Sequence, residues 1–198
     1  SLYNTIAAGN SDMSSAGSPS PDDVSGAIDP SSANNLIGAG LITSILSPAN
    51  HNQIGTAASP IDAKLGTLAD NGGPTQTIAL LPGSPAIDAG SNALAVDTSG
   101  KPLATDQRGY YRVFNGTVDI GAFESGSAAL LPGDANADGK VDFADLVVPA
   151  RNYGKTNAAW ADGDFDSDGV VDFNDFLILA RNYGRVVSLL TTAAGIKP

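Results

Sequence analysis

The chain has 198 residues, of which 42% are hydrophobic, only 6% are aromatic and 23 are Gly, so composition argues against an ordinary helical globule and favours a turn-rich β architecture. The formal net charge of −11 disfavours nucleic acid and anionic membranes as partners, since both require basic patches, and it favours bound cations. Cysteine is absent and we find no long apolar run, which excludes disulfides and predicts no membrane span.

Residues 1–124 have the pattern of short strands separated by turns. Apolar stretches at 2–7, 35–38 and 78–81 alternate with clusters of Gly, Asn, Asp and Pro, without a helical period. Short strands at roughly even spacing predict an all-β fold. Asn-rich turns around residues 34–35 and 50–52 suit the stacked corners of a β-solenoid, in which each rung covers the apolar face of its neighbour.

Two segments of this half carry a family resemblance. DNGGPTQTIALLPGSPAIDAGS at 70–91 and TDQRGYYRVFNGTVDIGAFE at 105–124 resemble the choice-of-anchor Q region, which closes right-handed parallel β-helix proteins of bacterial surfaces. The resemblance implies that residues 1–69 are the last rungs of such a β-helix and that residues 1–124 are its C-terminal rungs and cap. It also implies that an attachment signal follows, and that any catalytic groove lies upstream of this chain.

Several residues of the same half invite an enzymatic interpretation. His51 is the only histidine, and its surroundings of Asn and Pro favour a surface turn over a Ser–His–Asp triad. A carboxylate pair for glycoside hydrolysis would have to come from Asp88, Asp97, Asp106, Asp119 and Glu124. The alternative is structural: Asp88 and Asp119 accept backbone N–H bonds, and Asp106 or Asp119 pairs with Arg108 or Arg112.

A repeat with a period of 30 residues follows a predicted linker at 125–132. Residues 133–155 align without gaps on residues 163–185, and 13 of the 23 positions are identical. The connector between the copies contains the only Trp. Residues 186–198 form an apolar-to-small tail that either lies back on the fold or stays loose.

Each copy contains a loop with oxygen-bearing side chains at positions 1, 3, 5, 9 and 12 and Gly at position 6. Ca²⁺ takes about 6–8 oxygen ligands, and this spacing wraps one chain segment around one ion. Gly139 and Gly169 permit the sharp turn that directs the position-7 carbonyls of Lys140 and Val170 inward. The predicted ligands of the two Ca²⁺ ions are Asp134, Asn136, Asp138, Lys140, Asp142 and Asp145, then Asp164, Asp166, Asp168, Val170, Asp172 and Asp175.

The charge of the repeat agrees with bound metal. Residues 133–185 contain ten Asp, no Glu and five Lys or Arg, and without metal the carboxylates of each loop repel one another. The alternative is a pair of acidic turns with no ion. Val141 and Val171, at position 8, are predicted to tie the two loops together, and Pro149 is predicted to kink or shorten the first helix.

Two such loops, each followed by one helix and lacking the leading helix of an EF-hand, resemble the type I dockerin family. Dockerins are appended to secreted polysaccharide-degrading enzymes and bind cohesin modules on a scaffold or cell surface. The resemblance implies a partner-binding set formed by Phe143, Ala144, Arg151 and Lys155, then Phe173, Asn174, Arg181 and Arg185. Many dockerins have a small hydroxyl residue where this chain has Phe, so the two rings either contact the partner or fold into the core.

The predicted fold class is therefore multidomain. It combines the all-β end of a right-handed parallel β-helix at 1–124, a linker at 125–132, a small all-α dockerin-like domain at 133–185 and a tail at 186–198.

The predicted function is calcium-dependent docking. The module would attach a secreted β-helix protein to a cohesin-like partner or a cell-surface component, outside the cell. One alternative is the C-terminal part of an extracellular polysaccharide-degrading lyase or glycoside hydrolase, with no catalysis in this chain. A second alternative is a surface adhesin or stalk, and in each case polysaccharide is a candidate ligand of the β-helix. The first residue is Ser rather than Met, which fits a processed or excised piece.

Overall fold

The chain divides into two compact units, Ser1–Ser127 and Ala128–Pro198. The structure, a computed structural model, describes residues 1–12, 20–24, 26, 28–40, 46–127 and 129–186. Apart from Val186, the predicted tail lies outside the described residues. Within them, no helix has both the length and the apolar character needed to cross a membrane.

The described part of the first unit contains only short strands. They are β1 (Ile6–Ala7), β2 (Ser11–Asp12), β3 (Ser20–Pro21), β4 (Leu36–Ile37), β5 (Gln53–Ile54), β6 (Leu65–Ala69) and β7 (Thr77–Leu80). Strands β1, β4 and β5 form a parallel sheet with β4 in the middle, whereas β2–β3 and β6–β7 are antiparallel ribbons. The apolar core includes Leu36 from β4 and Leu80 from β7, so it joins the parallel sheet to the second ribbon.

The parallel strands start from tight corners. Asn4, Asn34 and His51 each stand two positions before a strand and have left-handed backbones, with φ of 48°, 54° and 58°. The buried side chains of Asn35 and Asn52 follow two of these corners, and Asn35 Nδ2 donates to Asn52 Oδ1 at 2.9 Å. These buried amides are hydrogen-bonded, which fixes the corners without large apolar side chains.

The predicted fold class is wrong. The described residues form a mixed α and β structure of small sheets and two helices, with no solenoid or β-helix. The longest paired strands, β6 and β7, are antiparallel, and after them the described β-structure of the first unit consists of isolated bridges such as Thr105–Tyr111. Even spacing of short apolar runs does not determine the direction in which strands pair, and the prediction failed at that step.

The second unit contains two helices of equal length, α1 (Phe143–Asn152) and α2 (Phe173–Asn182). It is not all-α as predicted, because backbone bridges pair Lys140 with Val186 and Thr156 with Val170. Its core combines loop and helix residues, namely Leu131, Ala135, Val141, Phe165 and Leu179.

Each loop begins at a glycine that touches the helix of the other copy. Pro149 is buried in α1 and faces Gly163, where an added Cβ would lie 2.7 Å from the Cβ of Pro149. At the equivalent place in α2, Leu179 faces Gly133, and an added Cβ there would lie 2.9 Å from the Cα of Leu179. Helix α1 extends over ten residues despite Pro149, so of the two predicted effects the shorter helix is wrong and the kink stays a prediction.

Backbone hydrogen bonds connect each loop to the segment that follows the other helix. Val141 N–H donates to the carbonyl of Arg185 at 3.0 Å and its carbonyl accepts from Gly184 N–H at 2.8 Å. Val171 makes the equivalent pair of bonds with Lys155 and Gly154, at 3.0 and 2.8 Å. Both valines therefore bond through their backbones to segments that follow helices, and the prediction that Val141 and Val171 tie the two loops together stays a prediction.

Candidate metal centre

Left-handed residues at positions 4 and 6 bend the backbone of both loops. Gly139 and Gly169 have φ of 81° and 92°, which confirms the turn predicted at position 6. Ala137 and Ser167, at position 4, also have positive φ, of 59° and 61°. A side chain in this conformation costs about 1–2 kcal/mol. Strain at the same position of both copies is typical of a loop shaped to surround a ligand.

The carboxylates at position 1 are completely buried. Asp134 accepts hydrogen bonds from the N–H groups of Asp138 and Gly139, at 3.3 and 2.8 Å. Asp164 accepts from Asp168 and Gly169 at 3.1 and 3.0 Å. The carboxylate of the first residue in each loop thus binds the backbone N–H groups at positions 5 and 6 and holds the loop in a closed turn.

The carboxylates at position 12 close the loops. Asp145 Oδ1 accepts from Ala135 N–H at 2.9 Å, and its Oδ2 accepts from Asp142 N–H at 2.8 Å. Asp175 makes the equivalent bonds with Phe165 at 2.6 Å and Asp172 at 2.8 Å. Each carboxylate therefore connects the start of its loop to the start of its helix.

The aspartates at position 9 act as helix caps. Asp142 Oδ1 accepts from Ala144 N–H at 2.8 Å, and Asp172 Oδ1 accepts from Asn174 N–H at 2.7 Å. Together with the position-12 carboxylates they form a capping box at each helix, which satisfies N–H groups that the helix itself leaves unbonded. Loop closure and helix initiation therefore depend on the same side chains.

The oxygen atoms of the second loop converge. Asp164, Asp166 and Asp168 each offer one carboxylate oxygen, and these atoms lie within 4.8 Å of one another. Among the described residues, no Lys or Arg forms an ion pair with Asp145 or Asp175, although both side chains are 0% exposed. A buried carboxylate without a cation is unfavourable. The donor set, all oxygen and strongly acidic, fits a hard divalent cation such as Ca²⁺.

The predicted partner-binding residues all lie on the surface of the second unit. Phe143 and Phe173 are 67% and 63% exposed, so neither ring folds into the core. The basic residues that end each copy differ in their contacts. Lys155 Nζ lies 2.6 Å from Asp162 Oδ1, whereas Arg185 Nη1 donates to the neutral side chain of Asn182, also at 2.6 Å.

The carboxylates of the first unit form a buried network with two arginines. Arg108 pairs with Asp106 at 2.7 Å, which is one of the predicted ion pairs. Arg112 pairs with Glu124 at 3.0 Å. The Arg108 guanidinium also lies over the Phe123 ring, 3.6 Å from its centroid. These groups connect residues 106–112 to the end of the unit.

Burial governs the protonation of this network. It raises the pKa of Glu124 to about 7, opposed by N–H donors from Asp119 and Phe114 and by the charge of Arg112. It also raises the pKa of Asp119, opposed by the N–H groups of Asp88 and Ser125. Asp119 and Glu124 are 1% and 0% exposed, and their oxygens are bonded to the chain itself. This arrangement supports a structural role for both carboxyls.

The other enzymatic candidates occupy exposed turns. His51 ends a short 3₁₀ turn with left-handed backbone, and Asp97 accepts from Ser99 and Lys101 within its own turn. Asp88 also has a left-handed backbone, with φ of 52°.

Sequence reasoning gave no role to Trp160. Its indole Nε1–H donates to the carbonyl of Asp134 at 2.7 Å, and its ring meets Phe165 edge to face, with centroids 5.2 Å apart. Trp160 therefore contacts position 1 of the first loop and position 2 of the second. The position of this tryptophan between the two acidic loops was the only sequence feature that could have indicated its role. The direction of its side chain depends on packing against residues distant in the sequence.

No protein-family model matches the chain, and no curated protein matches it. Among solved structures, the chain is similar to a "Type II cohesin-dockerin domain from Bacteroides cellolosolvens", with 33% sequence identity. The match covers 30% of this chain and 95% of that chain, with a TM-score of 0.27. A TM-score of that size does not establish a shared fold.

Proposed function

We propose that the second unit is a calcium-dependent docking module that attaches the protein to a cohesin-like protein partner. The observation that carries the proposal is the doubled loop, in which Asp145 and Asp175 are fully buried and accept only backbone N–H bonds among the described residues. A bound cation would supply the positive charge that these carboxylates lack.

Each ion would be held by side-chain oxygens and one backbone carbonyl. The first would be bound by Asp134, Asn136, Asp138, Asp145 and the carbonyl of Lys140, and the second by Asp164, Asp166, Asp168, Asp175 and the carbonyl of Val170. Asp142 and Asp172 already cap the helices, which suits the water-mediated role that position 9 often has in such loops. Calcium would fix the start of each helix, and with it the direction of the exposed helix face.

The docking face combines an exposed aromatic ring with basic groups on each helix. Phe143 and Phe173 follow the helix caps, and Arg151 and Arg181 lie two turns further along. An arginine covers apolar surface with its stem and pairs with carboxylates through its guanidinium. We expect the partner to be a protein module with an apolar contact area and an acidic rim, met outside the cell, where calcium replaces disulfides as the stabilising element.

Calorimetric titration of chelator-treated protein with Ca²⁺ tests the metal. Two ions should bind per chain, and Asp175→Asn, which removes a charge without changing the shape, should remove the second site. Asp97→Asn is the matched control, since Asp97 lies in an exposed turn of the first unit. Absence of heat, together with an unchanged melting temperature in Ca²⁺, would refute the metal assignment.

Binding to a panel of immobilised cohesin modules, in Ca²⁺ and in chelator, tests docking. The fourfold variant Phe143→Ala, Arg151→Ala, Phe173→Ala, Arg181→Ala should lose binding while both calcium sites remain. If the variant binds as tightly as the unchanged protein, these helices are not the docking face.

A further inference from the structure

The side chain of Trp160 contacts both loops of the second unit. It belongs to the connector, in a 3₁₀ turn from Trp160 to Asp162. Its indole N–H donates to the carbonyl of Asp134, the residue whose carboxylate organises the first loop. The acceptor of the indole N–H therefore belongs to the first loop.

The indole ring of Trp160 is linked to the carboxylate of Asp175, which closes the second loop, by way of Phe165. Trp160 packs edge to face on Phe165, with a 70° angle between the ring planes. Phe165 is 6% exposed, and its N–H donates to Asp175 Oδ1 at 2.6 Å. The path from loop to loop thus consists of one hydrogen bond, one aromatic contact and one further hydrogen bond.

The connector is fixed at its other side as well. Asp162 pairs with Lys155, and its carbonyl accepts from Asn152 Nδ2 at 2.8 Å, so the turn is attached to the end of α1. The connector is therefore attached to the end of α1 as well as to the carbonyl of Asp134.

The copies are not equivalent in this respect. Thirty residues earlier, Leu130 occupies the place of Trp160 and Ala135 occupies the place of Phe165. Neither can donate a side-chain hydrogen bond or offer an aromatic ring. A side-chain link of this kind therefore runs through the second copy alone.

We propose that Trp160 is a positioning residue that couples the two calcium loops, so that an ion in the first loop raises the affinity of the second. The proposal rests on the calcium sites of the proposed function. Coupling between sites commonly amounts to about 5–150-fold in affinity. The backbone bonds of Val141 and Val171 add a parallel connection, so removal of the indole N–H should reduce the coupling.

A double-mutant cycle on the full chain tests this proposal. Asp145→Asn disables the first loop, and calorimetry then gives the affinity of the second loop with and without Trp160→Phe, which keeps a ring but removes the donor. We expect Asp145→Asn alone to weaken the second site by about fivefold or more. In a chain that already carries Trp160→Phe, Asp145→Asn should lower the calcium affinity of the second site by less than half of that factor. Equal effects in both backgrounds would overturn the coupling role while calcium binding itself stands.

A measurement that leaves Trp160 in place covers the case in which Trp160→Phe does not fold. Trp160 is the only tryptophan, so fluorescence excited at a wavelength that tyrosine does not absorb reports on this residue alone. Its emission should change on Ca²⁺ binding both when only the first loop is intact (Asp175→Asn) and when only the second is intact (Asp145→Asn). A response confined to one of these variants would overturn the proposal. Absence of any calcium binding would refute the proposed function instead.

Discussion

The two units neutralise their buried carboxylates in different ways. In the first unit, Asp106 and Glu124 pair with Arg108 and Arg112 of the same chain. In the second, the buried closing carboxylates of both loops accept backbone N–H bonds and, among the described residues, no Lys or Arg pairs with them. The first unit supplies arginine counter-charges to Asp106 and Glu124, although its third buried acid, Asp119, accepts only backbone N–H bonds. For the two loops of the second unit we propose that a cation from solution supplies the counter-charge. We therefore expect the stability of only one unit to depend on calcium.

Removal of calcium is expected to have the largest effect. A chelator should unfold the second unit while the first remains folded, because each ion at 100 times its dissociation constant contributes about 2.7 kcal/mol. Hydrogen exchange resolved by segment measures this directly. Amides of α1 and α2 should lose protection, and amides of β4 and β7 should keep theirs.

Magnesium in place of calcium is the control for this experiment. Mg²⁺ is smaller and demands near-ideal octahedral geometry, so it should restore little protection at equal concentration. Loss of protection in both units on chelation would show that they are not independent in stability.

The reverse experiment removes an internal counter-charge. Arg108→Met should destabilise the first unit by about 3–5 kcal/mol, because it leaves the buried carboxylate of Asp106 without its partner. Differential scanning calorimetry should show a lower transition for the first unit and an unchanged calcium-dependent one. Lys64→Met is the matched control, since the Lys64 side chain is exposed. An equal shift in the two variants would contradict the assigned role of the ion pair.

The loops were predictable from sequence because their chemistry is local. Position 6 requires a left-handed residue and has Gly139, and the spacing of oxygen-bearing residues is a property of one short segment. The bonds between Val141 and Arg185 were not predictable, since they join residues from different copies. The length of α1 was mispredicted for the same reason: helix propensity indicated a kinked or shorter helix at Pro149, but this residue lies in a tightly packed site against Gly163 of the other copy. In the first unit, the strands are too short for their pattern to determine partners or direction.

Comparing alanine substitutions at two glycines of the second unit distinguishes the cost of tight packing from the cost of backbone strain. Gly163 and Gly154 both have positive φ, of 99° and 83°, so alanine at either position is strained. At Gly163 the new methyl group would collide with Pro149. At Gly154 no heavy atom lies within 4 Å of the position that the new methyl group would take. Gly163→Ala should therefore cost about 1–3 kcal/mol more than Gly154→Ala. Thermal unfolding in saturating Ca²⁺ measures the difference, and equal losses would show that the contact between loop and helix is not tight.

The smallest expected effect concerns which copy docks. Lys155 is paired with Asp162 inside the second unit, whereas the hydrogen bond of Arg185 to Asn182 leaves its charge available to an acidic partner. Arg185→Ala should therefore weaken partner binding by up to about 1 kcal/mol, and Lys155→Ala by less, since exposed charge pairs contribute little. Asp162→Asn sharpens the test, because it removes the charge that neutralises Lys155. In that background Lys155→Ala should weaken binding as much as Arg185→Ala does, with the difference shrinking at high salt. If Lys155→Ala is the more damaging change in the original background, the first copy carries the docking face and the internal ion pair does not bias the choice.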